Sequence, residues 1–194
     1  MVLKVAITGN IASGKSEVEK LLAKNYPVYD TDKIAHQILD TLTEFEGYDV
    51  FTDSHIDRKK LGEIVFSNPD AKNKLENIIH PKVKTEIEKI FEKHKNDEVV
   101  FISVPLLYET GFETLFDKVL LITIDDDTRL ERLIKRDNCT IKDALKRINS
   151  QMPQDEKAEK ADFIISNNSD YEYLNNQVLV FIGELHRFIH FKDA

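Results

Sequence analysis

Eight residues near the start of the chain, Gly9-Asn10-Ile11-Ala12-Ser13-Gly14-Lys15-Ser16, have the types and spacing that hold a polyphosphate. In a G-x-x-x-x-G-K-S loop the backbone N–H groups converge on a β-phosphate at the start of a helix, where the helix dipole favours an anion. The lysine ammonium reaches the β- and γ-phosphates, and the hydroxyl beside it can ligate Mg²⁺. A second constellation follows at Asp30-Thr31-Asp32. A carboxylate at the end of a strand can orient or deprotonate a hydroxyl attacking the γ-phosphate, or hold Mg²⁺ through water. The competing role for either acid is to cap the next helix.

These groups act only if the chain positions them. The loop needs a strand before it and a helix after it. Val2-Leu3-Lys4-Val5-Ala6-Ile7-Thr8 is apolar and β-branched, the composition of a buried parallel strand, and Val18, Leu21 and Leu22 follow at helical spacing. Further strand-like runs are Val28-Tyr29, Val99-Val100-Phe101-Ile102, Val119 to Ile124, and Phe163-Ile164-Ile165. Five such runs separated by helical pattern predict an α/β fold, a parallel sheet covered on both faces. Ligands of an open parallel sheet gather at the carboxyl ends of its strands, which brings Asp30 and Asp32 toward the loop.

The stretch between the second and third runs is far longer than a plain crossover needs. Its apolar positions, among them Ile34, Ile38, Leu61, Ile64, Leu75, Ile79, Val83 and Ile87, have helical spacing. It reads as an inserted helical subdomain able to bind a second substrate. Within it His80-Pro81 breaks the pattern, and Pro81 suits the first turn of a new helix. From Tyr171 onward, apolar residues at three- and four-residue steps predict a helix packed back on the sheet. His186 and His190 on that helix have the spacing of a metal pair, without an evident third ligand.

Composition bounds the function. The 194 residues suit one globular domain, and 41% hydrophobic content suffices for a single core. No apolar run reaches membrane-spanning length, the N-terminus is expected to enter a strand directly and not to offer a cleavable leader, and Cys139 is the only cysteine. Cytoplasmic residence is the expectation, with no membrane partner. A net charge of −8 argues against a nucleic-acid partner. The charge is uneven: between Arg129 and Arg147 seven basic residues (Arg129, Arg132, Lys135, Arg136, Lys142, Lys146, Arg147) face three acidic ones (Glu131, Asp137, Asp143). That segment could grip a phosphorylated small molecule, most of its charges forming a solvated helix face.

Several runs in order, T-G-x-I-x-S-G-K-S, D-x-D, H-P, P-L-L-x-E (Pro105 to Glu109), L-x-R-x-x-x-R-D (Leu130 to Asp137), Q-M-P (Gln151 to Pro153, with Lys157 nearby) and A-D-x-x-I-x-N, cover nearly the whole chain. In this combination the sequence resembles the dephospho-CoA kinases, which phosphorylate the ribose 3′-hydroxyl of dephospho-CoA. The resemblance implies a P-loop NTPase fold like that of nucleoside monophosphate kinases: a five-stranded parallel sheet flanked by helices, with a helical substrate domain and a lid. Residues 1–30, 98–128 and 158–194 would then be the nucleotide-binding core, 31–97 the substrate subdomain and 129–157 the lid. ATP would be the co-substrate and Mg²⁺ the metal.

Carried onto this chain, the resemblance gives Asp32 as general base, with Lys15 and Arg136 completing the catalytic set. Nucleotide contacts would be Thr8, the loop residues Gly9, Asn10, Ile11, Ala12, Ser13, Gly14, Lys15 and Ser16, then Glu17, Arg147 and Asn167. Asp32, His80, Pro105 and Leu106 would face the acceptor, His80 either as a substrate contact or as a helix cap. Ser16 and Asp30 would serve the metal. The chain departs from the family's habit at Asn10 and Ala12, where glycine is usual, and at Glu17, where a hydroxyl is usual. Asn tolerates unusual backbone angles and Ala is small, so access for phosphate survives; the Glu17 carboxylate is expected to lie outward. Ser103 stands where many members have an acid.

The reaction implied is in-line transfer of the ATP γ-phosphoryl group to a ribose hydroxyl, inside a site that excludes water. Two rival readings share parts of this sequence. A nucleoside or nucleoside-monophosphate kinase would keep core, loop and lid but differ in its acceptor, and a slowly hydrolysing regulatory switch would ignore every acceptor. Against the switch, no N-K-x-D run is present.

Overall fold

The computed structural model describes residues 2–53 and 55–192, so the outermost residues of the expected core, 1, 193 and 194, lie outside it. The chain forms two compact units, one made of the residues up to Tyr29 with those from His94 on, the other of Asp30–Lys93.

The first unit is built on a five-stranded sheet. Strand β1 (Leu3–Thr8) is central, flanked by β5 (Val99–Ser103) and β6 (Lys118–Thr123), with β2 (Val28–Asp30) beyond β5 and β7 (Phe163–Ser166) beyond β6. The pairs β1–β5, β1–β6 and β6–β7 are parallel, with Ile7 opposite Ser103 and also opposite Leu120. The apolar runs of β1, β5 and β6 are thus buried on both faces, as the centre of a parallel sheet requires, while the edge strands β2 and β7 are partly exposed, Ile164 of β7 at 50%. Val5, Ile7, Phe101, Leu120 and Ile122 pack with Val18 and Leu22 of helix α1 (Lys15–Leu22). Val178, Phe181 and Leu185 of the long helix α8 (Tyr171–Lys192) close the same core. Helices α5 (Asp126–Asp137), α6 (Ile141–Ile148) and α7 (Gln154–Ala158) fill the segment between β6 and β7, and a short 3₁₀ turn (Phe112–Leu115) follows β5.

Each of the first two of these helices starts on a side-chain cap. Asp125 accepts from the Thr128 N–H before α5, and Thr140 from the Asp143 N–H before α6. Asn138, at φ 47°, ends α5 in the left-handed conformation that Asn tolerates.

The second unit holds helix α2 (Thr31–Asp40), a hairpin of β3 (Phe51–Thr52) and β4 (His55–Ile56), and helices α3 (Arg58–Ser67) and α4 (Pro69–Lys93). Its core gathers Phe45, Val50, Leu61 and Ala71. Two sequence expectations are corrected here. The hairpin was not expected, because two-residue strands offer no alternation to read. Pro81 does not begin a helix: α4 runs unbroken from Pro69 to Lys93 with Pro81 inside it. Proline there removes one backbone donor. The buried stripe Ile79, Val83, Ile87, Phe91 continues at four-residue steps across that point, and its burial holds the two halves in one helix.

Candidate active site

The phosphate loop leaves β1 at Thr8 and turns into α1 at Lys15. Two glycines are demanded by geometry. A Cβ on Gly9 would lie 2.7 Å from the Ile122 carbonyl oxygen, and Gly14 sits at φ 83° with Asn167 Nδ2 where its Cβ would be. Gly14 occupies the N-cap position of α1 and offers no side-chain cap, so the first N–H groups of the helix remain to meet an anion.

The two departures within the loop have different outcomes. Ala12 carries the left-handed backbone, at φ 63°, a conformation that costs a non-glycine residue about 1–2 kcal/mol. Asn10 shows no such angle. It serves as a strap, its Nδ2 donating to the Met152 carbonyl at 3.0 Å. The Glu17 carboxylate turns away and pairs with Lys20 at 2.6 Å, one turn along the exposed face of α1. The structure therefore does not bring Glu17, one of the expected nucleotide contacts, to the loop.

Lys15 is held inward. Its Nζ lies 2.8 Å from Glu19 Oε1 and donates to Ser103 Oγ at 2.6 Å, while the Ser103 hydroxyl reaches the same Glu19 oxygen at 2.6 Å. Thr8 is buried, with its hydroxyl 3.4 Å from the Pro105 carbonyl. Pro105 is half-buried and Leu106 is exposed, both in the turn that follows β5.

The separate motifs after β5 and α6 meet on the flank of the loop. Gln151 Oε1 accepts from the Ile11 N–H at 2.7 Å, and the Met152 N–H donates to Glu109 at 3.0 Å. Glu109 is also paired with Lys157 at 2.9 Å, and that lysine is fully buried, reaching the Pro105 carbonyl at 3.4 Å. A cavity of about 300 Å³ opens beside them, lined by Asn10, Arg129, Gln151 and Gln154. Arg129 is buried and bonded to Asp126 at 2.6 Å.

Of the basic cluster, Arg132 approaches the loop most directly. Its Nη2 donates to the Asn167 carbonyl at 3.2 Å, and its Nη1 lies 3.6 Å from where a Gly14 Cβ would be. Asn167 is buried and donates to the Ser13 carbonyl at 2.8 Å, so the residue that follows β7 braces the loop from one side. Arg136 and Arg147 converge elsewhere, both on Asp137, at 2.7 Å and 2.6 Å. The Arg136 guanidinium beside Asp137, supported by Arg147, holds that carboxyl below the usual carboxylate range.

Asp30 ends β2 and caps α2, its Oδ1 accepting from the Asp32 N–H at 2.8 Å. Asp32 is exposed in the first turn of α2. His80 is half-buried in the middle of α4, which rules out the helix-cap reading of that residue. His186 bonds Tyr26 at 3.0 Å, and among the described residues no group of three or more His, Cys, Asp or Glu side chains could hold a metal ion. Ser16 and Glu19, three residues apart in α1, supply a hydroxyl and a carboxylate, oxygen donors of the kind that suit a Mg²⁺ whose other ligands are phosphate and water. Sequence reasoning missed Glu19 and Arg132 as site residues. Glu109, Gln151 and Lys157 were visible only as members of motifs.

A five-stranded parallel sheet with this loop at its central strand and helical insertions defines a P-loop kinase. The family model described as dephospho-CoA kinase matches residues 3–172, and the chain belongs to that family. A dephospho-CoA kinase from Listeria innocua is 40% identical over 191 residues, covering 92% of this chain and 94% of the relative. One from Fusobacterium nucleatum is 42% identical over 185 residues, covering 91% and 95%. The solved dephospho-CoA kinase from Campylobacter jejuni superposes with a TM-score of 0.74 at 34% identity, covering 95% of this chain and 98% of that one. Among the described residues no helix is long and apolar enough to cross a membrane.

Proposed function

We propose that this chain transfers the γ-phosphoryl group of ATP to the ribose 3′-hydroxyl of dephospho-CoA, giving coenzyme A and ADP. The observation that carries the reading is the hydrogen-bonded junction of the phosphate loop with Glu109, Gln151, Met152 and Lys157, residues of the motifs on which the sequence resembles the dephospho-CoA kinases.

In this mechanism the loop amides and Lys15 bind the β- and γ-phosphates, and Ser16 faces the metal. Ser16 would hold a Mg²⁺ bound with ATP, which would supply positive charge to offset that of the transferring group. Residues 31–97 hold the acceptor, with His80, Pro105 and Leu106 on its side. Within the D-x-D, Asp30 is engaged as the cap of α2, which supports giving the second acid, Asp32, the task of orienting and deprotonating the 3′-hydroxyl. Residues 129–157 act as the lid. Arg136 and Arg147, with Arg132 at the loop, bring forked donors to the charge that develops in transfer, and Asn167 lies toward the adenine. Both substrates are small molecules in this reading, the enzyme works in the cytoplasm, and neither nucleic acid nor membrane takes part; the net charge of −8 is consistent with that.

An acceptor-dependent ADP-release assay with dephospho-CoA, AMP, CMP and pantetheine tests it. Release that requires dephospho-CoA is expected. Release driven by AMP or CMP instead would make the chain a nucleotide kinase, and slow release indifferent to every acceptor would make it a nucleotide switch.

A further inference from the structure

The loop lysine has a carboxylate partner that the transfer mechanism does not use. Glu19 and Lys15 each keep only 16% of their side-chain surface, and with the fully buried Ser103 they form a closed triangle of contacts at 2.6 to 2.8 Å. Helix stability does not account for the pair. A cation in the first turn with an acid one turn later runs against the helix dipole and is the weaker order for an i, i+4 pair.

Position supplies a different account. Glu19 follows Ser16 by three residues and Lys15 by four, so all three share one face of α1. Ser103 ends β5 opposite Ile7, two residues before the loop begins. A phosphate that recruits Lys15 strips Glu19 of its counter-ion and leaves a mostly buried carboxylate close to a polyphosphate. That arrangement is costly unless a cation replaces the ammonium. A divalent ion delivered with the nucleotide to the Ser16 hydroxyl is such a cation, and Mg²⁺ keeps water ligands that a nearby carboxylate and hydroxyl can accept from and orient.

We propose that Glu19, with Ser103, provides the carboxylate that orients the water shell of the nucleotide-bound Mg²⁺, and that it holds Lys15 only until the phosphates take the ammonium. The acid that serves the metal in this chain thus stands on the helix after the loop, not at the end of β5, where Ser103 occupies the position. The inference rests on reading the loop as a magnesium–nucleotide site and is independent of which acceptor is phosphorylated.

Calorimetric titration of ATP with Mg²⁺ and with EDTA, on the unaltered chain, Glu19→Gln and Glu19→Gln/Ser103→Asp, tests it without turnover. Titration of Mn²⁺ followed by electron paramagnetic resonance, with a non-hydrolysable ATP analogue bound, gives the metal affinity directly. Glu19→Gln is expected to bind metal-free ATP at least as well as the unaltered chain, while its Mn²⁺ affinity falls by about 10- to 100-fold. Ser103→Asp in that background should recover most of the loss, since its carboxylate enters the same triangle. If Glu19→Gln folds poorly, Glu19→Asp should show an intermediate loss of metal affinity. Unchanged metal affinity in Glu19→Gln or in Glu19→Asp, with tighter metal-free ATP binding, would make Glu19 a counter-ion of Lys15 and overturn the proposal. An unaltered chain that binds no ATP under either condition would overturn it together with the loop reading, whereas a chain that behaves as expected here but ignores dephospho-CoA would overturn the acceptor assignment alone.

Discussion

Lys157, which exposes none of its side chain, lies 2.9 Å from Glu109, whose own side chain keeps 22% of its surface exposed. The two partners therefore depend on each other unequally. Removing the lysine leaves a carboxylate that water can still reach, and removing the carboxylate leaves an ammonium buried with one backbone carbonyl, that of Pro105, at 3.4 Å. Glu109→Ala is expected to cost about 3–5 kcal/mol of stability, as uncompensated buried charges do. Lys157→Met should cost less, and the double variant should be more stable than Glu109→Ala alone. Urea unfolding of the three variants measures this, and equal losses for both single changes would contradict the asymmetry.

Lys15→Ala should leave the fold intact, because Glu19, left without the ammonium, keeps the hydrogen bond from the Ser103 hydroxyl and access to water. Phosphoryl transfer should nevertheless fall by about 10²- to 10³-fold or more, the scale of losing one preorganised donor to developing charge. Circular dichroism with steady-state ADP release checks both halves. Near-normal turnover in a folded Lys15→Ala protein would remove the loop lysine from the mechanism.

What was legible in the chain divides by the range of the interaction. The loop, its strand and its helix are adjacent in sequence, so local pattern alone located β1, the turn and α1. Strands β5 and β6 were visible because a strand buried on both faces is a short, continuous apolar run, and the partly exposed edge strands β2 and β7 showed as shorter apolar runs. Pro81 was misread because local propensity argued for a break, while the stripe of Ile79, Val83, Ile87 and Phe91 decided for continuity. Glu19 had no distinguishing mark: its meaning comes from Ser103, which approaches it only once β5 lies beside β1. Arg132 looked like any other charge in a basic run until β7 brought Asn167 to its side chain. The contacts among Gln151, Glu109 and Lys157 span distant segments, so the motifs that contain them signalled importance without saying what each residue touches.

Asp137 gathers two arginines, and this gives the α5–α6 segment a pH dependence. The hydrogen bond from Arg136 holds its carboxyl below the ordinary range, so the folded form binds a proton less readily than the unfolded form. The tether's contribution is present above the unfolded carboxylate value near ~4 and is lost as the pH falls through the lower folded value. Protection of the α5 and α6 amides, taken as exchange relative to the intrinsic rate at each pH, should therefore fall on acidification below about pH 4. Asp137→Asn should show lower protection at neutral pH and little further loss of protection on acidification. Arg136→Lys and Arg147→Lys keep charge but lose the fork, so turnover is expected to fall more than ATP affinity. If turnover and affinity were both unaffected by these two changes, neither arginine would belong to the lid's chemistry.

The two acids of Asp30-Thr31-Asp32 separate by what each change removes. Asn caps a helix about as well as Asp, so Asp30→Asn should keep α2 and cost little stability, while Asp30→Ala should lose about 1 kcal/mol with the cap at the Asp32 N–H. Asp32→Asn preserves size and hydrogen-bonding reach but cannot accept the acceptor's proton. Dephospho-CoA should still bind to Asp32→Asn, measured by calorimetry, while turnover drops by about 10²- to 10⁴-fold, the contribution of a positioned general base. Raising Mg²⁺ should partly restore Asp30→Asn if that acid also contacts metal-bound water, and should do nothing for Asp32→Asn. Full activity in Asp32→Asn, with the loss confined to Asp30→Asn and insensitive to Mg²⁺, would transfer the role of base to Asp30 and reduce Asp32 to a first-turn acid of α2.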